Sequence, residues 1–262
     1  MNISMLIENT ACKESLACEH GLSLYIETKR HKILFDTGQS GAFADNAEKM
    51  GVDLTGVDIA VMSHGHYDHG GGIARFLEIN DRAKVYLNEH AFRSCWHGER
   101  YIGLDERLRE NGRLEYVSKE TELGEGLILR PCGGMGMRHP LSGEGLTVLE
   151  NGVHLQDDFR HEQYLSIYEG EKHVLVSGCS HRGILNIMPH WKPDVLIGGF
   201  HFMKLDPEGA GRMRLLSAAR ELAAYPAKYY TCHCTGEAQF ALMKTVLGEQ
   251  LEYLRGGMTI EV

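Results

Sequence analysis

The feature that most constrains this chain is a short polar segment that directly follows an apolar one. Residues 57–62 (VDIAVM) are typical of a buried strand, and glycines at 70, 71 and 72 end the segment after it. Between the two lie four side chains that can bind metal ions: His64, His66, Asp68 and His69. Two imidazoles separated by one residue, then a carboxylate and a third imidazole, suit zinc or another divalent metal of similar softness. A solvated, histidine-rich turn is the alternative, and the features below favour the metal site.

Length and charge narrow the class of protein. A chain of 262 residues can bury the core of one large α/β domain. Its formal net charge of −9 argues against nucleic acid as the main partner, and no apolar run reaches the ~18 residues of a membrane span. The first residues carry no basic start before an apolar core, and the seven cysteines lack the spacing of a disulfide framework. We therefore expect a cytoplasmic protein with a small-molecule substrate and neither nucleic acid nor membrane as partner.

The first half of the chain predicts a hairpin and two strand–helix units. Residues 21–36 form the hairpin, whose second strand ends at Asp36, and a helix is predicted over 42–50. From about 88 to 113 aromatic and charged residues alternate without a clear period. We interpret this stretch as a mixed helical and loop insertion, which either covers the site or packs outside the sheet.

The second half repeats this organisation. A hairpin over 163–178 runs into Cys179 and His181, and two later strands end at His201 and His233. The glycine-rich residues 131–140 are interpreted as a loop. No low-complexity linker separates the halves, so we expect one domain over 1–262. Because ligand sites of α/β folds form at the carboxyl ends of strands, these polar residues are expected to converge.

The motif His-x-His-x-Asp-His at 64–69, preceded by Asp36, resembles the pattern of the metallo-β-lactamase superfamily. The resemblance runs through nearly the whole chain and implies an αββα sandwich, with two mixed sheets flanked by helices. Four shorter segments resemble one subgroup of it: EHGLS at 19–23, GCSH at 178–181, GGFH at 198–201 and CTG at 234–236. Members of that subgroup are often described as similar to a synthase of a dihydropterin–ribofuranosylaminobenzene phosphate, a methanopterin precursor in archaea.

The resemblance implies a site for two divalent metal ions, either zinc or, as alternatives, manganese or iron. His64 and His66 would hold the first ion, Asp68 and His69 the second, and Asp36 would orient ligands. The usual third histidine of the first ion is absent from its expected loop, where residues 157–163 read DDFRHEQ. We prefer His181 for that role over His161.

Further assignments accompany the same resemblance. Cys179 stands where a bridging carboxylate is usual, and it is either a soft ligand or, slightly favoured, a small buried residue. His233 is assigned to the second ion. His201 then becomes a substrate-facing hydrogen-bond donor or general acid. Cys232 and Cys234 are expected to point away from the site.

The function implied is hydrolysis of a small anionic, phosphorylated metabolite by a metal-activated water, with Asp68 as the group that holds ion and nucleophile together. His20, Arg138, His139 and His201 are the candidate donors to the anion. A pterin-pathway synthase that forms a carbon–carbon bond is one alternative. A di-iron redox protein and a sensor with a vestigial metal site are two others. The sequence leaves the oligomeric state open.

Overall fold

The structure is a computed structural model that describes residues 1–141 and 143–262, and in these residues it contains eighteen β-strands and six α-helices. The strands are β1 (Asn2–Ile7), β2 (Ser23–Glu27), β3 (Lys32–Phe35), β4 (Ile59–Val61), β5 (Lys84–Asn88), β6 (Cys95–His97), β7 (Arg100–Tyr101), β8 (Leu114–Val117), β9 (Thr121–Gly124), β10 (Leu127–Pro131), β11 (Leu146–Glu150), β12 (Val153–Gln156), β13 (Gln163–Glu169), β14 (Lys172–Val176), β15 (Val195–Ile197), β16 (Lys228–Thr231), β17 (Leu251–Tyr253) and β18 (Thr259–Glu261). The helices are α1 (Ala42–Met50), α2 (Tyr67–Gly70), α3 (Ile73–Ile79), α4 (Ile184–Trp191), α5 (Arg212–Ala223) and α6 (Glu237–Leu247).

Two seven-stranded sheets share the same plan. The first has the order β18-β1-β2-β3-β4-β5-β8, and the second β17-β16-β15-β14-β13-β10-β9. In each, an antiparallel hairpin leads into parallel strands: β2 and β3 lead into β4, β5 and β8, and β13 and β14 lead into β15, β16 and β17. The repeated hairpin predicted from the sequence is therefore present in both sheets.

The apolar residues pack the sheets and helices together in four layers. Alternate side chains of a strand point to opposite faces, so Ile33 and Phe35 pack between the two sheets, whereas Leu34 packs under α1 and α3. In the second sheet Val174 packs between the two sheets, whereas Leu175 packs under α4, α5 and α6. Each fully buried side chain of this kind contributes about 1.5–3 kcal/mol. The predicted αββα sandwich of two mixed sheets is confirmed.

A third sheet was not expected. It has four strands in the order β12-β11-β6-β7, and it includes part of the stretch from 88 to 113. Here the prediction of a mixed helical and loop insertion was wrong: within the described residues this stretch holds a short hairpin, β6 and β7, and a 3₁₀ turn at Glu106–Leu108. β6 pairs with β11 at Val148 and Cys95, so a partner far along the chain defines the strand.

The architecture brings the carboxyl ends of parallel strands to one edge of the two sheets. β3 ends before Asp36, β4 before His64, β14 before Cys179, β15 before His201, and β16 before His233. In the described part of the chain no helix combines the length and apolar character needed to cross a membrane.

Candidate metal centre

The segment between β4 and α3 brings its polar side chains to one point. The chain turns through His64, Gly65 and His66 before α2 begins, and His64 Nε2 then faces His66 Nδ1 at 3.1 Å. A Cβ atom at position 65 would overlap the backbone carbonyl of Ala91, so glycine allows the turn to pack this closely.

His181 completes a first donor group with these two histidines. Its ring centroid lies 5.0 Å from that of His64 and 5.0 Å from that of His66. Its backbone N–H donates to Glu162 Oε1 at 2.7 Å, which fixes the turn after β14. Donor atoms of His64, His181 and Cys179 all lie within 4.8 Å of one another.

Asp68, His69 and His233 form a second donor group. Asp68 Oδ2 lies 3.6 Å from His69 Nε2 and 3.3 Å from His233 Nε2. The first two residues belong to α2, and His233 begins a 3₁₀ turn directly after β16. His20 Nε2 lies 3.4 Å from the same Asp68 oxygen, on the solvent side of the group.

Cys179 lies between the two groups. Its Sγ is 3.1 Å from His69 Nε2, and it belongs to one close set of donor atoms with His64 and His181 and to another with His69 and His233. The sequence slightly favoured a buried packing role for this residue. Cys179 is indeed buried, but its sulfur faces histidine nitrogens, and this geometry favours the ligand role.

Asp36 holds the first loop from behind. It is fully buried with φ of 58°, a conformation that non-glycine residues rarely adopt outside strained or functional positions. Its Oδ2 accepts hydrogen bonds from the Ser63 hydroxyl at 2.6 Å and from His69 Nδ1 at 2.7 Å, and its Oδ1 accepts the Ser63 backbone N–H at 2.7 Å. The proton of His69 is thereby placed on Nδ1, which leaves Nε2 directed at Cys179.

Glu8 and Asn9 orient His233, although no motif in the sequence points to either residue. Glu8 Oε1 accepts the backbone N–H of His233 at 2.6 Å and the hydroxyl of Tyr253 at 2.9 Å. Asn9 Oδ1 accepts a hydrogen bond from His233 Nδ1 at 2.8 Å, so that His233 Nε2 faces Asp68. The only sequence signal is that two polar residues follow the apolar end of β1.

His161 lies near His66, but both of its ring nitrogens have protein partners. Its Nδ1 accepts the backbone N–H of Gly65 at 3.0 Å, and its Nε2 donates to Asp157 Oδ2 at 3.0 Å. Because both nitrogens are used, the geometry favours His181 over His161 as the third histidine of the first group. His161 instead links Asp157 to the turn between His64 and His66.

His201 lies on the wall of the site. Its ring centroid is 4.3 Å from that of His181, and its φ is 55°. It lies outside the two donor groups and lines the cavity above them. Burial and the nearby His233 lower the pKa of His201 to about 4.

The expectation for the two cysteines beside His233 was wrong for one of them. Cys232 packs into the core between the sheets, as expected. Cys234 lines the cavity instead, because residues 233–235 form a 3₁₀ turn rather than continuing the strand, and its Sγ donates to the backbone carbonyl of Cys179 at 3.5 Å.

Burial sets the protonation of His64 and His66, and neighbouring charges set that of Asp68. Burial, reinforced by His69, holds the pKa of His64 well below its ordinary value, and burial lowers the pKa of His66 to about 3. Burial opposes ionisation of Asp68, but His69 and His233 outweigh it and hold the pKa of this carboxyl well below its usual range. Neutral imidazoles and an ionised carboxylate are the forms that bind metal ions.

A cavity of about 250 Å³ opens over these groups. Its lining residues come from both sheets and from the four-stranded sheet: His20, His66, Tyr67, Asp68, His97, Arg100, Ile102, Leu146, Cys179, His181, His201, Met203, Lys204, His233 and Cys234. The anion donors expected at Arg138 and His139 are not among them. The stretch 88–113 contributes His97, Arg100 and Ile102 to the wall.

The donor set fits divalent metal ions. Among the described residues, the buried nitrogens His66 Nε2 and His233 Nε2 have no hydrogen-bond partner. Donor atoms of His64 and His181, and those of His69 and His233, lie within 4.8 Å of Cys179 Sγ, and the Asp68 carboxylate lies beside His233. Unpaired buried polar atoms are costly unless a ligand binds them, and this mixture of donors suits zinc and metals of similar softness.

Residues 17–151 match the sequence model of the metallo-beta-lactamase superfamily. The chain belongs to the metallo-β-lactamase superfamily. An uncharacterised protein of Methanocaldococcus jannaschii is 30% identical over 244 residues, which cover 89% of this chain and 90% of that protein. A second protein of that organism, named 7,8-dihydropterin-6-methyl-4-(beta-D-ribofuranosyl)-aminobenzene-5'-phosphate synthase, is 27% identical over 271 residues, 93% of this chain and 90% of the relative.

Solved structures share the fold of this chain. Tm1679, described as a metal-dependent hydrolase of the beta-lactamase superfamily, is similar over 100% of this chain and 99% of its own, with 30% identity and a TM-score of 0.84. Zn(2+)-bound PqqB from Methylobacterium extorquens shares the fold, with a TM-score of 0.63, 11% identity and full coverage of both chains. The resemblance to the superfamily and to its synthase-like subgroup is confirmed, and the fold indicates a metal-dependent enzyme.

Proposed function

We propose that this protein is a hydrolase with two metal ions that acts on a small anionic, phosphorylated metabolite. The observation that carries the proposal is the pair of adjoining donor groups that share Cys179. His64, His66 and His181 would hold one ion, and Asp68, His69 and His233 the other. Two divalent ions held there would activate a water molecule and polarise an oxygen of the substrate.

The protein's own residues prepare this site before any substrate arrives. Asp36 and Asn9 fix the ring orientation of His69 and His233, so that each presents Nε2 to the centre. His201 lies on the cavity wall beside His181 and is positioned to donate a hydrogen bond to a leaving-group oxygen.

The lining of the cavity supports an anionic substrate. Asp68 is the only carboxylate among its described lining residues, and that carboxylate faces His69 and His233. An anion placed elsewhere in the cavity therefore meets no negative side chain on the wall. We further propose that the stretch 88–113 covers the substrate within a single domain, since three of its residues line the cavity.

The metal is taken to be zinc, with manganese or iron as the alternatives, because sulfur and imidazole donors predominate. All seven cysteines, each within the described residues, are free thiols. This supports a reducing compartment such as the cytoplasm.

The decisive test is metal content measured together with turnover. Purified wild-type protein should hold two equivalents of a transition metal by elemental analysis. It should also hydrolyse at least one member of a panel of phosphodiesters, phosphomonoesters, lactones and thioesters. His66→Ala should lose metal and turnover together, whereas His90→Ala, at an exposed histidine away from the cavity, should keep both. Absence of transition metal from the wild type, or full turnover by His66→Ala, would refute the proposal.

The synthase-like relative favours a second candidate, a pterin-pathway synthase. Mass spectrometry of protein incubated with a dihydropterin and a ribofuranosylaminobenzene phosphate distinguishes the two. Formation of the joined product would favour the synthase. Turnover of the hydrolytic panel without that product would favour the hydrolase.

A further inference from the structure

Two cationic side chains line the cavity and have no carboxylate partner in the part of the chain that the structure describes. Arg100 belongs to β7, and Lys204 belongs to the segment between β15 and α5. Neither residue lies in the two donor groups. They enter the cavity from separate segments of the chain, and both are exposed to solvent.

The contacts of these two side chains hold them in place without neutralising their charge. The Arg100 guanidinium lies over the ring of Tyr67, 4.7 Å from its centroid. Lys204 Nζ donates to His97 Nε2 at 3.3 Å and to the backbone carbonyl of Glu144 at 3.3 Å. Tyr67 and His97 line the same cavity. The positive charges therefore remain available to a bound group.

The rest of the protein makes this local excess of positive charge unusual. The chain has 36 acidic and 27 basic residues, and elsewhere arginines commonly pair with carboxylates, as Arg107 does with Asp105. Apart from Asp68, which faces His69 and His233, Arg100 and Lys204 are the charged side chains among the described lining residues, and like charges in a cleft concentrate ligands of the opposite sign. An acidic protein that keeps two unpaired cations on one cavity wall is equipped to attract an anion there.

We propose that Arg100 and Lys204 form a phosphate-binding subsite that holds a phosphate group of the substrate at the cavity wall. This inference rests on the proposed function and specifies its substrate class. A phosphate monoester carries a charge of about −1.5 to −2 at pH 7, which matches two cations. A carboxylate carries a single charge and would leave one cation unmatched. The guanidinium fork of Arg100 suits two phosphate oxygens, and the Lys204 ammonium acts as a point charge.

The test measures the affinity of inorganic phosphate for the metal-loaded protein by isothermal titration calorimetry. Arg100→Met and Lys204→Met should each weaken phosphate binding about tenfold, the loss of one charge-assisted contact, and the double variant about a hundredfold. Arg107→Met is the matched control, because its side chain is 89% exposed and lies outside the cavity, and it should bind phosphate like the wild type. Arg100→Lys keeps the charge, so it should bind phosphate more tightly than Arg100→Met.

Metal content is measured for every variant, so that the subsite and the proposed function can fail separately. A double variant that keeps its metal and binds phosphate like the wild type would overturn the subsite but not the hydrolase. Acetate titrations identify the class of anion: a loss of acetate affinity as large as that of phosphate would overturn the assignment to phosphate. A metal-free wild type would overturn the proposed function instead.

Discussion

The two halves of the candidate metal centre are held by different kinds of contact. The first half is a single loop in which His64, His66, Asp68 and His69 are close in sequence, and Asp36 at the end of the neighbouring strand fixes it. The second half takes Cys179 and His181 from the turn after β14 and His233 from the turn after β16. Partners far away in the chain hold that half, among them Glu8, which lies 225 residues from His233. Local spacing therefore defines the first half, whereas tertiary structure defines the second.

The largest effect is expected from Asp36→Asn, which tests the local support of the first half. The amide has one accepting oxygen where the carboxylate has two. It therefore cannot accept from the Ser63 hydroxyl, the Ser63 backbone N–H and His69 Nδ1 together, and at least one buried donor loses its acceptor. We expect the free energy of unfolding in urea to fall by about 2–4 kcal/mol, since each unpaired buried group costs about 1–3 kcal/mol. Zinc affinity, measured by chelator competition, should fall by about 10–100-fold.

Asp45→Asn is the control for Asp36→Asn, because Asp45 is an exposed carboxylate on α1. Unchanged stability and zinc affinity in Asp36→Asn would show that the first loop keeps its shape without this local contact.

Cys179→Ser tests whether the two donor groups share a ligand. A hydroxyl is a much weaker zinc ligand than a thiolate, so zinc affinity should fall by roughly tenfold or more if the sulfur binds metal. Cys132→Ser provides a matched control, because Cys132 is equally buried but lies outside the two donor groups. Equal zinc affinities for both variants would show that Cys179 packs in the core and does not bind the metal.

Glu8→Gln tests the long-range support of the second half. Oε1 of Glu8 accepts the His233 N–H and the Tyr253 hydroxyl, and Oε2 accepts the backbone N–H and the hydroxyl of Thr10. Whichever way the glutamine amide turns, its NH2 group faces one of these pairs of donors, so the contact that orients His233 is weakened. Zinc titration should show about tenfold weaker binding of one equivalent, with the other equivalent unaffected. Glu14→Gln, at an exposed position near the same end of the chain, should resemble the wild type. If both zinc equivalents bound equally more weakly, the two donor groups would not be independent of each other.

The smallest effect on metal is expected from His161→Gln. Because both ring nitrogens of His161 already bind protein groups, the variant should keep two equivalents of zinc. Its unfolding free energy should fall by about 1–2 kcal/mol, since the Gly65 N–H and Asp157 lose their partner. His154→Gln, an exposed histidine, should change neither quantity. Loss of one zinc equivalent in His161→Gln would make His161 a ligand and put the role of His181 in doubt.

The parts of the fold that the sequence predicted are those with strong local signals. α1 begins and ends at the predicted residues, because Gly41 and Gly51 flank it and its apolar residues have helical spacing. The four-stranded sheet was missed because β6 has only three residues and pairs with a strand some fifty positions later. Nothing in the local pattern of Cys95, Trp96 and His97 distinguishes such a strand from an irregular loop.

In the candidate site, too, the residues that could be predicted are those with a local sequence signal. The metal-binding pattern of His64 to His69 is visible as spacing, and His181 and His233 are visible as polar residues after buried strands. Glu8, Asn9 and Glu162 act on those residues through contacts that only the folded chain creates. Arg100 could not be connected with Lys204 either, because no spacing relates β7 to the segment after β15.

The contact between Glu8 and His233 also has a consequence for how the protein matures. During synthesis the His64–His69 loop emerges from the ribosome long before the turn that carries His233. Closing a loop of that length costs chain entropy, and such distant pairings slow folding. A nascent chain can thus present the imidazoles of the His64–His69 loop to a metal. The donor group of Asp68, His69 and His233, however, is assembled only after the last third of the chain has folded. Full metal loading would therefore mark the end of folding rather than initiate it.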